Sequence, residues 1–110
     1  GWHIPSEEEW NTLVEFLGGE AVAGGKLKES GISHWNSPNE GADNSSGFTG
    51  LPAGSRSDLF HSLGDGSRWW SSKHFDETNA YALSVSYTYA STFWYNYSKN
   101  HGYSVRCIRD

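Results

Sequence analysis

Between Tyr81 and Tyr89 large and small residues alternate at every step, and this alternation limits the possible folds more than any other feature. Odd positions carry Tyr81, Leu83, Val85, Tyr87 and Tyr89; even positions carry Ala82, Ser84, Ser86 and Thr88. A period of two belongs to a strand with one apolar and one polar face. After a small-residue break at Ala90-Ser91, Phe93, Tyr95 and Tyr97 repeat the pattern, with Trp94 on the opposite side. Two such segments joined by a short turn are antiparallel neighbours, because a parallel pair needs a long crossover. The chain is expected to end in an antiparallel sheet.

What precedes the sheet is mostly loop, opened by one clear helix. Ser6 and Glu9 have capping-box spacing, and Glu7, Glu8 and Glu9 place negative charge where the helix dipole favours it. Trp10, Leu13, Val14 and Leu17 follow the i, i+3, i+4, i+7 spacing of one buried face, and Gly18-Gly19 ends the run. A helix over residues 5–17 results, and losing the Ser6 cap should cost about 1 kcal/mol. A short second helix is expected over Ala21–Lys28. From Gly24 to Asp65, stretches such as "HWNSPNEGADNSSGF" and "LPAGSRSD" read as loops. "WWSS" at Trp69–Ser72 starts a strand, and "YSVRCIRD" at 103–110 closes the chain as another. With 110 residues the chain is expected to form a single α+β domain. Met is absent and aromatics reach 15%, so large rings must fill most of the core.

Several kinds of chemistry find little support. Net charge is -5 without a basic stripe, which argues against nucleic acid. No apolar run approaches the ~20 residues of a membrane span, so direct insertion is not expected. His3, His34, His61, His74 and His101 are scattered, without HxxxH or HExxH spacing. No GxSxG elbow or P-loop is present, and an enzyme is not expected. No cofactor is expected either. Asn39, Glu40, Asp43 and Asn44 are oxygen ligands of the kind Ca2+ prefers, but turn formation explains the same residues. The lone Cys107 reads as a buried thiol or as half of a disulfide with a cysteine outside this chain.

The phrases "GWHIPSEEEW", "AGGKLKESG", "WNSPNEGADNSSGF", "LPAGSR", "WWSS" and "GYSVRCIRD", in this order and spacing, resemble the Fibrobacter succinogenes major paralogous domain family. The resemblance covers nearly the whole chain. It implies a C-type-lectin-like fold, similar to that of formylglycine-generating enzymes, in secreted proteins and lipoproteins of Bacteroidetes, Fibrobacteres and relatives. An extracellular or cell-surface location follows from it. The start at Gly1-Trp2-His3, without Met, reads as a domain excised from a longer secreted protein or as a processed product. Family members often carry a Cys just before "GWH", so the resemblance implies a lost partner for Cys107. It implies fold and not activity, because nothing here matches the cysteine and metal site of the formylglycine-generating enzymes.

The resemblance also extends to variable proteins of diversity-generating retroelements, whose C-terminal segment is rewritten and displayed on the lectin-like sheet. Residues 73–101 occupy the corresponding place. The expected function is non-enzymatic recognition of a protein or glycan ligand. The candidate ligand-binding residues are Lys73, His74, Phe75, Ser84, Ser86, Tyr87, Thr88, Tyr89, Phe93, Trp94, Tyr95, Tyr97 and His101. Trp94 leads this set, because it stands opposite its ring neighbours. Mixed Tyr and Ser suit such a surface as they suit antibody paratopes. The alternative expectation is a carbohydrate-binding or structural module of a bacterial cell-surface lipoprotein. In the carbohydrate version Trp69, Trp70 and Trp94 stack on sugar rings.

Overall fold

The computed structural model describes residues 1–110. Strand β1 (Trp2–His3) leads into helix α1 (Glu7–Phe16). Ser6 caps it: its hydroxyl accepts the Glu9 amide at 3.1 Å, and the Glu9 carboxylate accepts the Ser6 amide at 2.8 Å. Two orphan donors of the first turn are thereby satisfied. Trp10 and Val14, and Leu17 at the C-cap, are buried. Helix α2 (Glu20–Leu27) follows, one residue ahead of the expected segment. Its glycines are contact points: a Cβ on Gly24 would overlap the Ser91 carbonyl, and one on Gly25 the Gly41 carbonyl. The poor helix formers of "AGGK" thus let two loop backbones pack directly on α2.

The long loop region contains one small hairpin that the sequence pattern did not reveal, β2 (Ser55–Arg56) and β3 (Phe60–His61). Strands β4 (Gly66–His74), β5 (Asn79–Ser86) and β6 (Phe93–Ser98) then form an antiparallel sheet in the order β4-β5-β6. Strand β7 (Ile108–Arg109) pairs back with β1. The result is an α+β architecture of two helices and antiparallel sheets. Neither helix is long and apolar enough to cross a membrane.

Three boundaries differ from expectation. Strand β4 starts at Gly66, ahead of Trp69, because Gly66 and Ser67 already pair with Ser86 and Val85. Strand β5 stops at Ser86, so Tyr87 and Thr88 lie in a turn. The closing segment is not one continuous strand. Ser104 bridges Trp69 in parallel, and regular pairing resumes only at Ile108. Cys107 lies in the gap and is exposed, which rules out the buried-thiol reading.

Rings and a few aliphatics form the core between the helices and one face of the sheet. Trp10, Val14, Leu17, Ala23, Leu27, Trp35, Trp69, Leu83 and Val85 make one buried cluster. Phe48 joins it, with its ring 6.0 Å from Trp10 and 5.2 Å from Trp69. Within this region Lys28 is fully buried. Its ammonium donates to the carbonyls of Glu40 (2.9 Å), Ser86 (2.8 Å) and Tyr89 (2.9 Å), and stands over the Trp35 ring. A buried charge is tolerable when fully hydrogen-bonded, and here the acceptors belong to the loop at Glu40 and to the end of β5 with the turn after it. Burial pulls Lys28 down from the ordinary lysine value to about 8.

Candidate functional site

Register divides the side chains of β4–β6 between two faces. Trp69, Leu83 and Trp94 are paired across the three strands and face the helices. The neighbouring rows, Arg68–Ser84–Phe93 and Trp70–Ala82–Tyr95, therefore face outward, as does the pair Ala80–Tyr97. On this outer face the central strand contributes only small residues, while both flanking strands contribute large ones.

The segment after β6 completes the face. Ser104 exchanges backbone hydrogen bonds with β4, through Ser104 N to Arg68 O (2.9 Å) and Trp70 N to Ser104 O (3.1 Å). This swings the Tyr103 ring over the sheet, 4.7 Å from Trp70 and 4.9 Å from Tyr97. It stands between a ring of β4 and a ring of β6, and Ala82 on the intervening strand is 0% exposed. Ser84, 6% exposed, lies under Arg68 and Tyr97; its hydroxyl is 3.4 Å from that of Tyr97. Burial pushes the Tyr103 phenol up, against an opposing pull from Arg68. The phenol therefore stays neutral at physiological pH, and it meets His101 Nδ1 at 3.2 Å.

From Tyr103 the rings continue without interruption along the edge strand. Tyr97–Tyr95 centroids are 6.0 Å apart, Tyr95–Phe93 6.3 Å, and Phe93–Tyr89 5.5 Å. Tyr89 and Tyr95 are 56% and 53% exposed. The preceding turn is fixed by main-chain atoms. Besides the two bonds from Lys28, Glu40 N donates to Tyr87 O, Gly25 N to Ala90 O and Thr92 N to Glu20 O, each at 2.9 Å. The side chains of Thr88 and Tyr89 take no part in these bonds.

The family model of the Fibrobacter succinogenes major domain matches residues 1–109. This chain belongs to that family. No curated protein and no solved structure matches it. The match takes in every helix and strand of the domain, so the ring-bearing face lies on the family scaffold and not on an appendage.

On this family domain, Phe93, Tyr95, Tyr97 and Tyr89 come together as one surface, with His101 at its margin. His74 lies on the same face at the far end of β4, where its Nδ1 meets Lys99 Nζ at 2.8 Å. Ser86 and Thr88 are linked by their hydroxyls at 3.0 Å beside the turn. Other candidates are placed elsewhere. Trp94 faces α1, packs against the core and donates from Nε1 to Asn11 Oδ1 at 2.9 Å. Being opposite its ring neighbours puts it on the dry side, because the outer side is the one the rings occupy. Tyr87 also packs against the core. Lys73 and Phe75 lie on the helix side: Lys73 pairs with Glu7 at 2.7 Å and stands over Tyr81, and Phe75 meets the Tyr81 ring edge-on at 5.8 Å. An irregular register between Trp70 and His74 turns them there. Ser84 lies on the outer face but beneath larger groups.

Sequence reasoning missed Arg68 and Tyr103 on this surface. No local signal joins them, since they meet only through the bridge from Ser104 to β4. The possible calcium ligands do not converge. Asn39 donates to Glu29 O and Gly31 O, Asp43 accepts the Ser45 amide, and Asn44 bonds Thr49. The Asp43 and Asn44 bonds are local turn contacts, and Asn39 ties its loop to the segment eight to ten residues earlier. No cluster of His, Cys, Asp or Glu in the molecule is arranged to hold a metal ion.

Proposed function

We propose that this domain is a non-enzymatic recognition module of C-type-lectin-like fold, acting at the surface of a bacterial cell or outside it. Its ligand is a macromolecule bound on the outer face of β4–β6. The observation that carries this reading is the unbroken run of rings from Trp70 through Tyr103 and Tyr97 to Tyr89, with Tyr89 and Tyr95 more than half exposed. Exposed, contiguous aromatics are the usual anchors of interaction sites. Binding there works by ring burial and hydroxyl hydrogen bonds, without a covalent step.

In this reading the segment 73–101 is one that a diversity-generating retroelement rewrites. The support is that the 86–92 turn is anchored to the rest of the domain chiefly through its carbonyls and amides, which any residue supplies, with added hydroxyl contacts only from Ser86 to Thr88 and from Ser91. Side chains at Thr88, Tyr89, Phe93 and Tyr95 can then change while the framework persists. The encoding locus tests this part: a reverse transcriptase and an adenine-rich near-copy of the 3′ end are expected beside the gene, and their absence overturns it.

A carbohydrate ligand is the second reading, favoured by the Phe93 and Tyr95 rings, which are 17° from parallel. Of Trp69, Trp70 and Trp94, Trp70 alone faces outward, and Tyr103 covers part of it. Random-peptide display and a glycan array, the latter with and without EDTA, compare the two readings. The recognition reading expects retained ligands to be lost from a Tyr89→Ala/Tyr95→Ala double variant with an unchanged thermal midpoint. Ligands retained equally by the double variant would overturn it.

A further inference from the structure

Resting on the recognition reading, we propose that the ligand is a protein segment carrying an acidic side chain, and that Arg68 receives its carboxylate. Arg68 is half-buried in the ring-bearing face. Its guanidinium lies 5.2 Å from the Tyr97 ring and 5.5 Å from the Tyr103 ring. Nε donates to the Tyr97 hydroxyl at 3.1 Å. Neither Nη group donates to anything in the domain, and neither is sealed from solvent.

This leaves a charge without a counter-charge. Lys73 with Glu7 is the one ion pair that any Lys or Arg side chain makes, and no carboxylate lies within ion-pair distance of Arg68. The net charge is -5, so acids are abundant elsewhere in the chain. A half-buried guanidinium beside neutral rings, with its outward fork vacant, is complementary to a carboxylate bound through two parallel hydrogen bonds. The rings hold the guanidinium plane, and a ligand seated on them would exclude water from it, which strengthens such a pair. At the other end of the face Lys99 contacts His74, but Asp76 and Glu77 line the same hollow and offset its charge. Arg68 is thus the cation on this face with no acid beside it.

Phe93 and Tyr95 are near parallel, but the three other pairs along Tyr89–Tyr103 favour a protein over an acidic polysaccharide. Tyr89 and Phe93 meet at 77°, Tyr95 and Tyr97 at 70°, and Tyr97 and Tyr103 at 81°. Rings standing edge to face form a corrugated surface with recesses for side chains, whereas a pyranose stacks on a flat ring face. Tyr with Arg is also the composition of protein-binding hot spots.

The test is selection from a random-peptide display library on the intact domain, followed by affinity measurement of the selected peptides against Arg68→Gln, Arg68→Lys and Tyr95→Ala. Titration with polygalacturonate runs in parallel. The expected peptides share an Asp or Glu at a fixed position; Arg68→Gln weakens them about tenfold or more, and Arg68→Lys restores part of the loss. Peptides lost from Tyr95→Ala but unchanged by Arg68→Gln overturn the role of Arg68 and leave the recognition reading standing. Selection of no peptide together with no polygalacturonate binding, or of peptides insensitive to both changes, overturns both. Polygalacturonate bound through Arg68 while no peptide is retained overturns the choice of a protein ligand. Should Arg68→Gln lose its folded circular dichroism, Arg68→Lys decides: unchanged peptide affinity there rejects the two-bond contact.

Discussion

On the helix side of β4–β6, Trp69, Leu83 and Val85 are buried, and Trp94 seals the margin against α1. On the outer side, one residue along the same strands, Trp70, Phe93, Tyr95 and Tyr97 carry rings of similar size but remain half-buried or exposed. Both faces are aromatic, so ring content does not separate core from binding surface. The covering does. Two helices and a loop roof one face, and a single tyrosine, Tyr103, with Arg68 partly roofs the other. A ring under helices stabilises the fold, while a ring under solvent is available to a ligand.

The largest effect is expected where the two faces are joined, at Lys28. Lys28→Met removes a charged donor from three carbonyls, two of which hold the turn leading to Tyr89 and Phe93. A loss of about 4 kcal/mol is expected, since bonds to charged groups are worth more than neutral ones and buried acceptors are left bare. Urea unfolding measures it; a loss below about 1 kcal/mol would show that other donors reach these carbonyls. The same site has a pH signature. Burial sets the folded value at about 8, against 10.5 for the free side chain. Below pH 8 both states hold the proton. Between about 8 and 10.5 the unfolded chain holds the proton that the folded one has released, so this group's contribution to stability rises with pH. The Lys28 Cε resonance should titrate near 8. A midpoint above about 10 would mean that the carbonyl bonds cancel the effect of burial.

Leu83→Ala tests the roofed face alone and should cost about 3 kcal/mol in the same assay, with ligand affinity changed only through folding. A cost under about 1 kcal/mol would mean that this face repacks freely. Trp94→Phe lies at the boundary between the faces. Losing the bond to Asn11 should cost about 1 kcal/mol and leave binding intact. If it abolished binding at unchanged stability, Trp94 would belong to the ligand surface after all. Tyr95→Ala should change stability by no more than about 0.5 kcal/mol, because the residue is already more than half exposed, yet remove ligand binding. A large stability loss there would erase the distinction between the two faces.

Much of the fold was legible because it depends on local rules. Ser6 and Glu9 mark the start of α1 through their spacing, and the alternation at Leu83 and Val85 places both in the core. The reading was weaker where a distant segment decides the outcome. Trp94 and Tyr95 are adjacent aromatics, and alternation says that they face opposite ways, but not which side the helices cover. Ser84 looks displayed until Arg68 and Tyr97 close over it. Tyr87 continues the β5 alternation, yet strand pairing stops at Ser86.

The sequence by itself determined the opening helix, the α+β class, the alternation of the C-terminal strands, the reliance on rings for a core, and the family. Periodicity and capping act within a few residues, so a linear reading captures them. The tertiary structure alone decided which face is roofed, the caging of Lys28 and the meeting of Arg68 with Tyr103. Each of these joins groups far apart in the chain, and their energies depend on which segments exclude water from them. That is a property of packing, and no short stretch of the chain encodes it.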